Sequence, residues 1–257
     1  MADEPEPLLR EQRGAVLLIT LNRPQVRNAF NAALAHALAG ALDALDGDDA
    51  LHAGVVTGAG PGFCAGMDLK AFVGGELPIV EGRGFGGMAR FAARKPLIAA
   101  VEGFAVAGGL ELALACDLIV AAEGARLGLP EVKRSLVAGA GGLMRLPQRL
   151  PFGIAMEMTL TGEPISAERA HELGLVNRLC APGAAVQTAL ELAGAVAANG
   201  PLALTASKEI LYRQRDLSAE EFWELQDPIV AQVGGSQDAI EGATAFAEKR
   251  PPVWRGR

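Results

Sequence analysis

The sequence has few aromatic residues, few cysteines and few histidines, and these shortages narrow the classes of function. Aromatic residues make up 5% of the 257 positions, with a single Tyr, and acidic residues outnumber basic ones to give a net charge of −7. No basic run with interleaved aromatic residues occurs, so we do not expect a nucleic-acid partner. A local cluster of basic side chains and helix N-termini would still suffice to bind a phosphorylated small molecule.

The cysteines and histidines are scattered along the chain. Cys64, Cys116 and Cys180 are odd in number and widely spaced, which predicts free thiols and neither a disulfide framework nor a metal site. The three histidines adjoin no candidate nucleophile, so we expect them on helix surfaces or at helix ends. Asp117 follows a cysteine between two predicted elements, and we expect it to make structural hydrogen bonds.

Long uncharged apolar runs are absent. The most apolar stretch, residues 97–122, contains Glu102, Glu111 and Asp117, which a membrane span of about 20 apolar residues would not tolerate. The N-terminal MADEPEP is acidic and proline-rich, unlike secretory or organelle-targeting segments. The sequence therefore predicts a cytoplasmic protein with no membrane partner.

Hydrophobic patterns in the first half alternate between strands and helices. Leucines at 34, 38, 42 and 45 follow helical spacing after Asn31, a plausible N-cap residue, and predict a helix over Asn31–Leu45. Another helix is predicted over Gly108–Ala115. Strands are predicted at Ala15–Leu21, Gly54–Thr57, Pro96–Val101 and Asp117–Ala121. This alternation indicates an α/β fold with a largely parallel sheet.

The second half is predicted to be mainly helical, whereas residues 76–87 are glycine-rich, aperiodic and expected to form a mobile loop. We divide the chain into an α/β core, residues 1–200, and a helical region, residues 201–257. The predicted helices are Leu150–Leu160, Ser166–Leu173, Pro182–Ala198, Pro201–Arg213, Ser218–Val233 and Ser236–Glu248.

Three glycine-rich segments carry the residues that suggest chemistry. Residues 62–70 (GFCAGMDLK) allow a ligand to approach the backbone closely, and Lys70 could meet a phosphate. In residues 105–111 (AVAGGLE) a strand passes into a helix whose first amides suit an oxyanion hole, with Glu111 in the first turn. In residues 128–131 (GLPE), Glu131 lies in apolar surroundings, and GAGG follows at 139–142.

Each glutamate also has an ordinary structural interpretation. Glu111 can simply interact with the helix dipole, and Glu131 can form an ion pair with Lys133 or Arg134. Together, two carboxylates and two amide-rich loops can supply a general acid, a general base and an oxyanion site. Those parts are what proton transfer at a carbon beside a carbonyl requires.

Several motifs together resemble the crotonase (enoyl-CoA hydratase/isomerase) superfamily, in order from about residue 14 to 250. The motifs are NRPQVRNAF, GFCAGMDLK, AVAGGLELALACDLIVA, GLPEVK, GAGGLMRLPQRLP, MTLTGEPISAERAHELGLVN and EGATAFAEKR. The resemblance implies a crotonase-like spiral of ββα units with a C-terminal helical trimerisation region, assembled as a trimer or a dimer of trimers.

The resemblance also implies roles for individual residues. The thioester oxygen of an acyl-CoA substrate would be held by the main-chain amides of Met67 and Gly108. Glu111 would assist the water that attacks the β-carbon, Glu131 would exchange the proton at the α-carbon, and Gly139 would help to position the water.

Contacts to coenzyme A, which is part of the substrate, are also carried over, and no metal or redox cofactor is implied. The implied CoA-binding residues are Arg27, Ala65, Asp68, Lys70, Phe246 and Lys249. Departures from the family pattern include Ala107 where a glycine is usual, a bulkier Met67, and the charged stretch at 133–135. These changes bear on the choice of acyl group.

The favoured hypothesis is reversible syn hydration of a 2-trans-enoyl-CoA, with a place in fatty-acid β-oxidation. Three alternatives remain open: another lyase of the family acting on an unusual acyl chain, an enoyl-CoA isomerase, and a non-catalytic CoA-binding or assembly protein. A glutamate at position 111, which the isomerases commonly lack, favours chemistry with water.

Overall fold

The computed structural model describes residues 6–91 and 93–257, so most of the acidic N-terminal segment lies outside the described residues. The strands are β1 (Leu8–Arg13), β2 (Val16–Leu21), β3 (Ala53–Gly58), β4 (Ile79–Val80), β5 (Gly84–Phe85), β6 (Leu97–Val101), β7 (Phe104–Val106), β8 (Leu118–Ala122), β9 (Arg126–Gly128), β10 (Ile165–Ser166) and β11 (Arg178–Cys180).

Helices and strands are interspersed as far as α7, and α7 to α10 then follow one another without a strand. They are α1 (Ala32–Gly47), α2 (Leu69–Val73), α3 (Gly108–Ala115), α4 (Gly142–Arg149), α5 (Phe152–Thr161), α6 (Ala167–Glu172), α7 (Ala185–Ala197), α8 (Pro201–Arg213), α9 (Ala219–Gly234) and α10 (Gln237–Glu248). Two 3-10 turns, Pro24–Val26 and Pro130–Arg134, complete the chain's regular structure as described.

The main sheet has six strands in the order β1-β2-β3-β6-β8-β11. Every neighbouring pair is parallel except β1–β2, which confirms the predicted α/β class. A second sheet has three strands in the order β10-β9-β7, and β4 and β5 form a small antiparallel pair.

Both faces of the main sheet are covered. On one face the buried leucines of α1 pack into the larger core, and all four residues of the predicted leucine stripe have no exposed surface. On the other face, α7 presents alanines at every fourth position to residues of β2, β3, β6 and β8. Alanine at this spacing lets the helix backbone lie close to the sheet.

Most predicted elements agree with the structure to within a few residues. Asn31 caps α1 by accepting a hydrogen bond from the amide of Leu34, and α3 spans the predicted residues. The strand β1 was not predicted, because only one of its six residues is buried and its hydrophobic pattern is weak. The helix α4 was not predicted either, and residues 79–85, expected to lie in a mobile loop, form an antiparallel strand pair.

The helices α8 and α9 are less buried than the other long helices. In the part of the chain that the structure describes, neither contains a buried residue. No single described helix is long and apolar enough to cross a membrane, and only α7 and α8 taken together reach that length, with a 105° bend between them. The proposed division at residue 200 stays a prediction.

Candidate active site

Strand pairing in the three-stranded sheet brings the two glutamates to one edge. The strand β7 pairs in parallel with β9, with Val106 opposite Gly128, and the amide of Ala107 donates to the Gly128 carbonyl at 2.9 Å. The C-terminal ends of parallel neighbours lie at the same edge of a sheet. The chain after β7 enters the helix of Glu111, and the chain after β9 enters the turn of Glu131.

Glu111 lies in the first turn of α3, as predicted, and is buried with 3% of its surface exposed. The helix begins abruptly because Ala107 adopts φ 52° and ψ −134°, a combination that residues other than glycine rarely adopt. Gly109 must be glycine, since a Cβ atom there would lie 2.2 Å from the Cys64 carbonyl oxygen. This close contact fixes the start of α3 against residues 62–68.

The backbone segments of the two predicted oxyanion donors, Met67 and Gly108, approach each other at Gly66, the residue before Met67. A Cβ atom on Gly66 would lie 2.9 Å from the Gly108 nitrogen, so the two backbones are in direct contact. Among residues 6–91 and 93–257, the amides of Met67 and Gly108 donate no recorded hydrogen bond. The Gly108 amide is also the first of a helix, where the partial positive charge is concentrated.

The Glu111 carboxylate is held by a loop that is distant in sequence. Its Oε1 accepts hydrogen bonds from the amides of Ala140 at 2.7 Å and Gly142 at 2.9 Å. A Cβ atom on Gly142 would lie 2.9 Å from Cγ of Glu111, so this glycine is needed for the approach. Gly139, the predicted water-positioning residue, is exposed at the same loop, and its role stays a prediction.

Glu131 occupies the 3-10 turn that follows β9. Its Oε2 is buried and has no hydrogen-bond partner within the described residues. The alternative ion pair with Lys133 does not form, because the Lys133 ammonium contacts Glu163 at 2.5 Å. A buried acceptor without a partner is unfavourable by about 1–3 kcal/mol, which makes Glu131 a candidate functional residue.

Burial and mutual repulsion control the charge of the two carboxyl groups. The pKa of Glu131 is raised from 4.5 to about 7, chiefly by burial and in smaller part by the negative charge of Glu111, while its own backbone amide and Arg134 oppose the rise. Burial also raises the pKa of Glu111, against the lowering effect of the Gly142 and Ala140 amides and of Arg145. The two groups are therefore within electrostatic reach of each other, and a pKa of about 7 suits Glu131 to proton exchange near neutral pH.

The predicted CoA-binding residues fall into two groups. Arg27, Ala65, Asp68 and Lys70 form one group: the Ala65 amide donates to the Arg27 carbonyl at 3.0 Å. The Asp68 carboxylate is committed to structure, because it caps α2 and pairs with Arg23 at 3.1 Å. Lys70 is exposed in the first turn of α2.

Phe246 and Lys249 form the second group, at the end of α10. Phe246 is 87% exposed, and Lys249 ends the helix in a left-handed conformation. Within the described part of the chain, no hydrogen bond or ion pair joins either residue to the first group. A shared role of the two groups in CoA binding stays a prediction.

Residues that we expected to be structural have structural partners. Nδ1 of His52 lies 2.9 Å from the Ala197 carbonyl oxygen, and Nδ1 of His171 lies 2.8 Å from that of Val176. The Asp117 carboxylate accepts hydrogen bonds from the Leu97 amide, the Lys208 ammonium and the Tyr212 hydroxyl.

Two residues near the glutamates were missed by sequence reasoning. The Phe85 ring lies so close to Gly108 that a Cβ atom there would meet it at 2.6 Å. Arg145 in α4 donates to the carbonyls of Ala140 and Ala89. The only sequence signal for Arg145 is its position four residues after Gly141, one helical turn into the element that the glycines begin.

Comparisons with known proteins agree with this architecture. The family model described as enoyl-CoA hydratase/isomerase matches residues 11–257. A carnitinyl-CoA dehydratase of Proteus mirabilis is 42% identical over 253 residues, covering 95% of this chain and 97% of that protein.

Two solved structures are similar over nearly the whole chain. An enoyl-CoA hydratase from Mycobacterium marinum is 57% identical with a TM-score of 0.96, covering 99% of this chain and 100% of that one. A carnitinyl-CoA hydratase from Mycobacterium avium is 45% identical with a TM-score of 0.80, over 99% of this chain and 100% of that one.

Proposed function

The chain belongs to the enoyl-CoA hydratase/isomerase family, and we propose that it catalyses the reversible syn addition of water to a 2-trans-enoyl-CoA. It is an enzyme of the hydro-lyase type with the crotonase fold, since its relatives are hydratases and dehydratases. The observation that carries the finer proposal is the buried, unpartnered Oε2 of Glu131 beside a second buried carboxylate.

The proposed reaction begins with the thioester oxygen bound by the amides of Met67 and Gly108. These donors stabilise the negative charge that develops on the oxygen when the β-carbon is attacked. Glu111 accepts a proton from the attacking water, whose oxygen bonds to the β-carbon. Glu131 delivers a proton to the α-carbon, and the enolate electrons form the new C–H bond.

The charge states support this division of roles. A general acid works best when its pKa is near the working pH, and the pKa of Glu131 is about 7. Glu111 accepts two amide hydrogen bonds, which oppose the rise that burial causes in its pKa and so support its role as the acceptor of the water proton. Proton transfer and oxyanion binding are supplied by the chain's own groups, so the proposal includes no metal or redox cofactor.

Carnitinyl-CoA dehydration is a second candidate, because relatives that are 42% and 45% identical carry carnitinyl-CoA names. The same two glutamates would catalyse the elimination of water, which is the reverse of hydration. Isomerisation is less favoured, since it needs no second carboxylate to activate water. A place in fatty-acid β-oxidation and a cytoplasmic location stay predictions.

We also propose self-association as a trimer or a dimer of trimers. Seven large apolar residues of the region 201–257 are between 37% and 87% exposed: Leu211, Leu217, Trp223, Val230, Ile240, Phe246 and Val253. Association would remove this apolar surface from water. Analytical ultracentrifugation should give three or six times the mass of one chain, and a monomer at micromolar concentration would contradict this proposal.

The function is tested by mixing the protein with crotonyl-CoA and following the loss of the conjugated enone absorbance. A panel of enoyl-CoAs of increasing length, together with carnitinyl-CoA, identifies the acyl group. We expect turnover of at least one enoyl-CoA, with the exposed glutamate variant Glu123→Gln as active as the unmodified protein. If no member of the panel is hydrated or dehydrated, the proposed function is wrong.

A further inference from the structure

We propose that Arg145 is a positioning residue for the proposed hydration, because its guanidinium holds the loop 138–142 whose amides bind Glu111. This inference rests on the proposed function but concerns a residue that does not touch the reacting atoms. Amides can orient a carboxylate only if the loop that carries them is itself held in place.

Arg145 binds the same loop that binds Glu111. One nitrogen, Nη1, donates to the Ala140 carbonyl at 3.3 Å, and Nη2 donates to the Ala89 carbonyl at 2.8 Å. The amide of the same residue, Ala140, donates to Glu111 at 2.7 Å. A single loop residue is thus held between the arginine and the catalytic carboxylate, and the arginine ties it to the segment that contains Ala89.

The glycines of the loop explain how both partners approach so closely. Gly142 leaves room for the Glu111 side chain, whereas a Cβ atom on Gly141 would lie 2.2 Å from Nη1 of Arg145. Gly141 has φ 95°, and the Arg145 amide donates to its carbonyl at 3.0 Å. The guanidinium therefore packs directly on the loop backbone, with no side chain between them.

The charge of Arg145 also acts on Glu111. It lowers the pKa of Glu111 and so opposes the raising effect of burial. Three further groups interact with the guanidinium: Tyr212 and Cys116, which are neutral at pH 7, and Arg149, which is positive. Glu131 is the other titratable group within electrostatic reach of Glu111. Arg145 is thus the cation that favours an ionised Glu111 at this site.

The test compares neutral variants with a charged one. Arg145→Gln and Arg145→Met remove the charge and the paired donors, and the use of both guards against one failing to fold. Arg145→Lys keeps the charge and one donor. Arg149→Gln is the matched control, because Arg149 lies on the same helix and binds the carbonyls of Leu114 and Cys116 without contacting the loop.

We expect the neutral variants to lower kcat on the order of 10²-fold, because misplacing a catalytic group by about 1 Å has effects of this size. KM should change little. The acidic limb of the pH profile of kcat/KM should move to higher pH, since Glu111 then ionises less readily. Arg145→Lys should restore the position of the limb and most of kcat, and Arg149→Gln should leave the limb unmoved.

A second readout separates this inference from the proposed function. Carboxyl carbon NMR, with the Glu111 signal assigned by its loss in Glu111→Gln, reports the Glu111 pKa without turnover. We expect that pKa to rise in the neutral variants and to return in Arg145→Lys. An unmoved pKa and an unmoved limb in folded neutral variants would overturn the role of Arg145, even if hydration is observed. Absence of hydration in the unmodified protein would overturn only the proposed function.

Discussion

The carboxylates of Glu111 and Glu131 differ in the hydrogen-bond partners that their segments of the chain provide. Glu111 begins a regular helix and has two amide donors on one oxygen. Glu131 lies in a short 3-10 turn, and one of its oxygens is buried without a partner among the residues described. Glu111 is thus the carboxylate with fixed partners and Glu131 the one with an unpartnered oxygen, and the proposed roles of holding the water and exchanging a proton rest on this difference.

The largest expected effect comes from removing the free carboxyl group. Glu131→Gln should lower kcat by about 10²–10⁴-fold, because an amide cannot deliver the proton that a general acid supplies. The loss of enone absorbance with the best substrate of the panel measures this effect. A loss of only about tenfold would mean that Glu131 is not the acid and that the contrast between the two segments has another cause.

A smaller loss is expected when the held carboxylate is displaced. In Gly142→Ala the new methyl group would lie 2.9 Å from Cγ of Glu111, so the side chain must shift away from its amides. We expect kcat to fall by on the order of 10²-fold, with the chain still folded by circular dichroism. Gly153→Ala is the control, since a Cβ atom at that helical position meets nothing within 4 Å. Unchanged activity in Gly142→Ala would show that the position of Glu111 is not critical.

The burial of the Glu131 carboxyl group should also make the stability of the folded protein depend on pH. Because the pKa of Glu131 is raised to about 7 in the folded protein, the folded state binds this proton more tightly than the unfolded chain. Its contribution to stability is therefore fully present below pH 4.5 and is lost as the pH rises through about 7. Glu131→Gln should have the same Tm as the unmodified protein at pH 4.5 and a Tm higher on the order of a few degrees at pH 8. A Tm difference that does not grow with pH would contradict the raised pKa.

The smallest effect concerns the strained residue before the Glu111 helix. Ala107→Gly should stabilise the protein by about 1 kcal/mol, because the relief of an unfavourable φ,ψ pair exceeds the entropy that glycine adds to the unfolded chain. Chemical denaturation measures the change. Ala105→Gly, at a fully buried strand position without positive φ, should instead lose stability. If both variants are destabilised, Ala107 is not strained.

Much of the local structure could be predicted because its causes lie within a few residues. Asn31 caps its own helix, and the leucines that follow it repeat at helical spacing. The glycines at 108 and 109 similarly indicated the start of α3. By contrast, β1 was missed because its exposed residues show no pattern, and the pairing of residues 79–85 depends on contacts with a glycine-rich segment that has no periodicity.

The candidate site was predicted as a set of residues, not as a geometry. Residue type and spacing alone singled out Glu111, Glu131 and the glycine-rich loops. They did not identify the amides of Ala140 and Gly142 as the partners of Glu111, which lie 29 and 31 positions away, nor the contact of Arg145 with Ala89, 56 positions away.

By itself the sequence determined the class of fold and the chemical groups available, since composition, periodicity and capping act over one or two turns of chain. Only the tertiary structure brought the two carboxyl groups within electrostatic reach of each other and raised the pKa of both. Both outcomes arise from the parallel pairing of β7 with β9 and from burial, and each of these depends on hydrogen bonds and packing between distant parts of the chain.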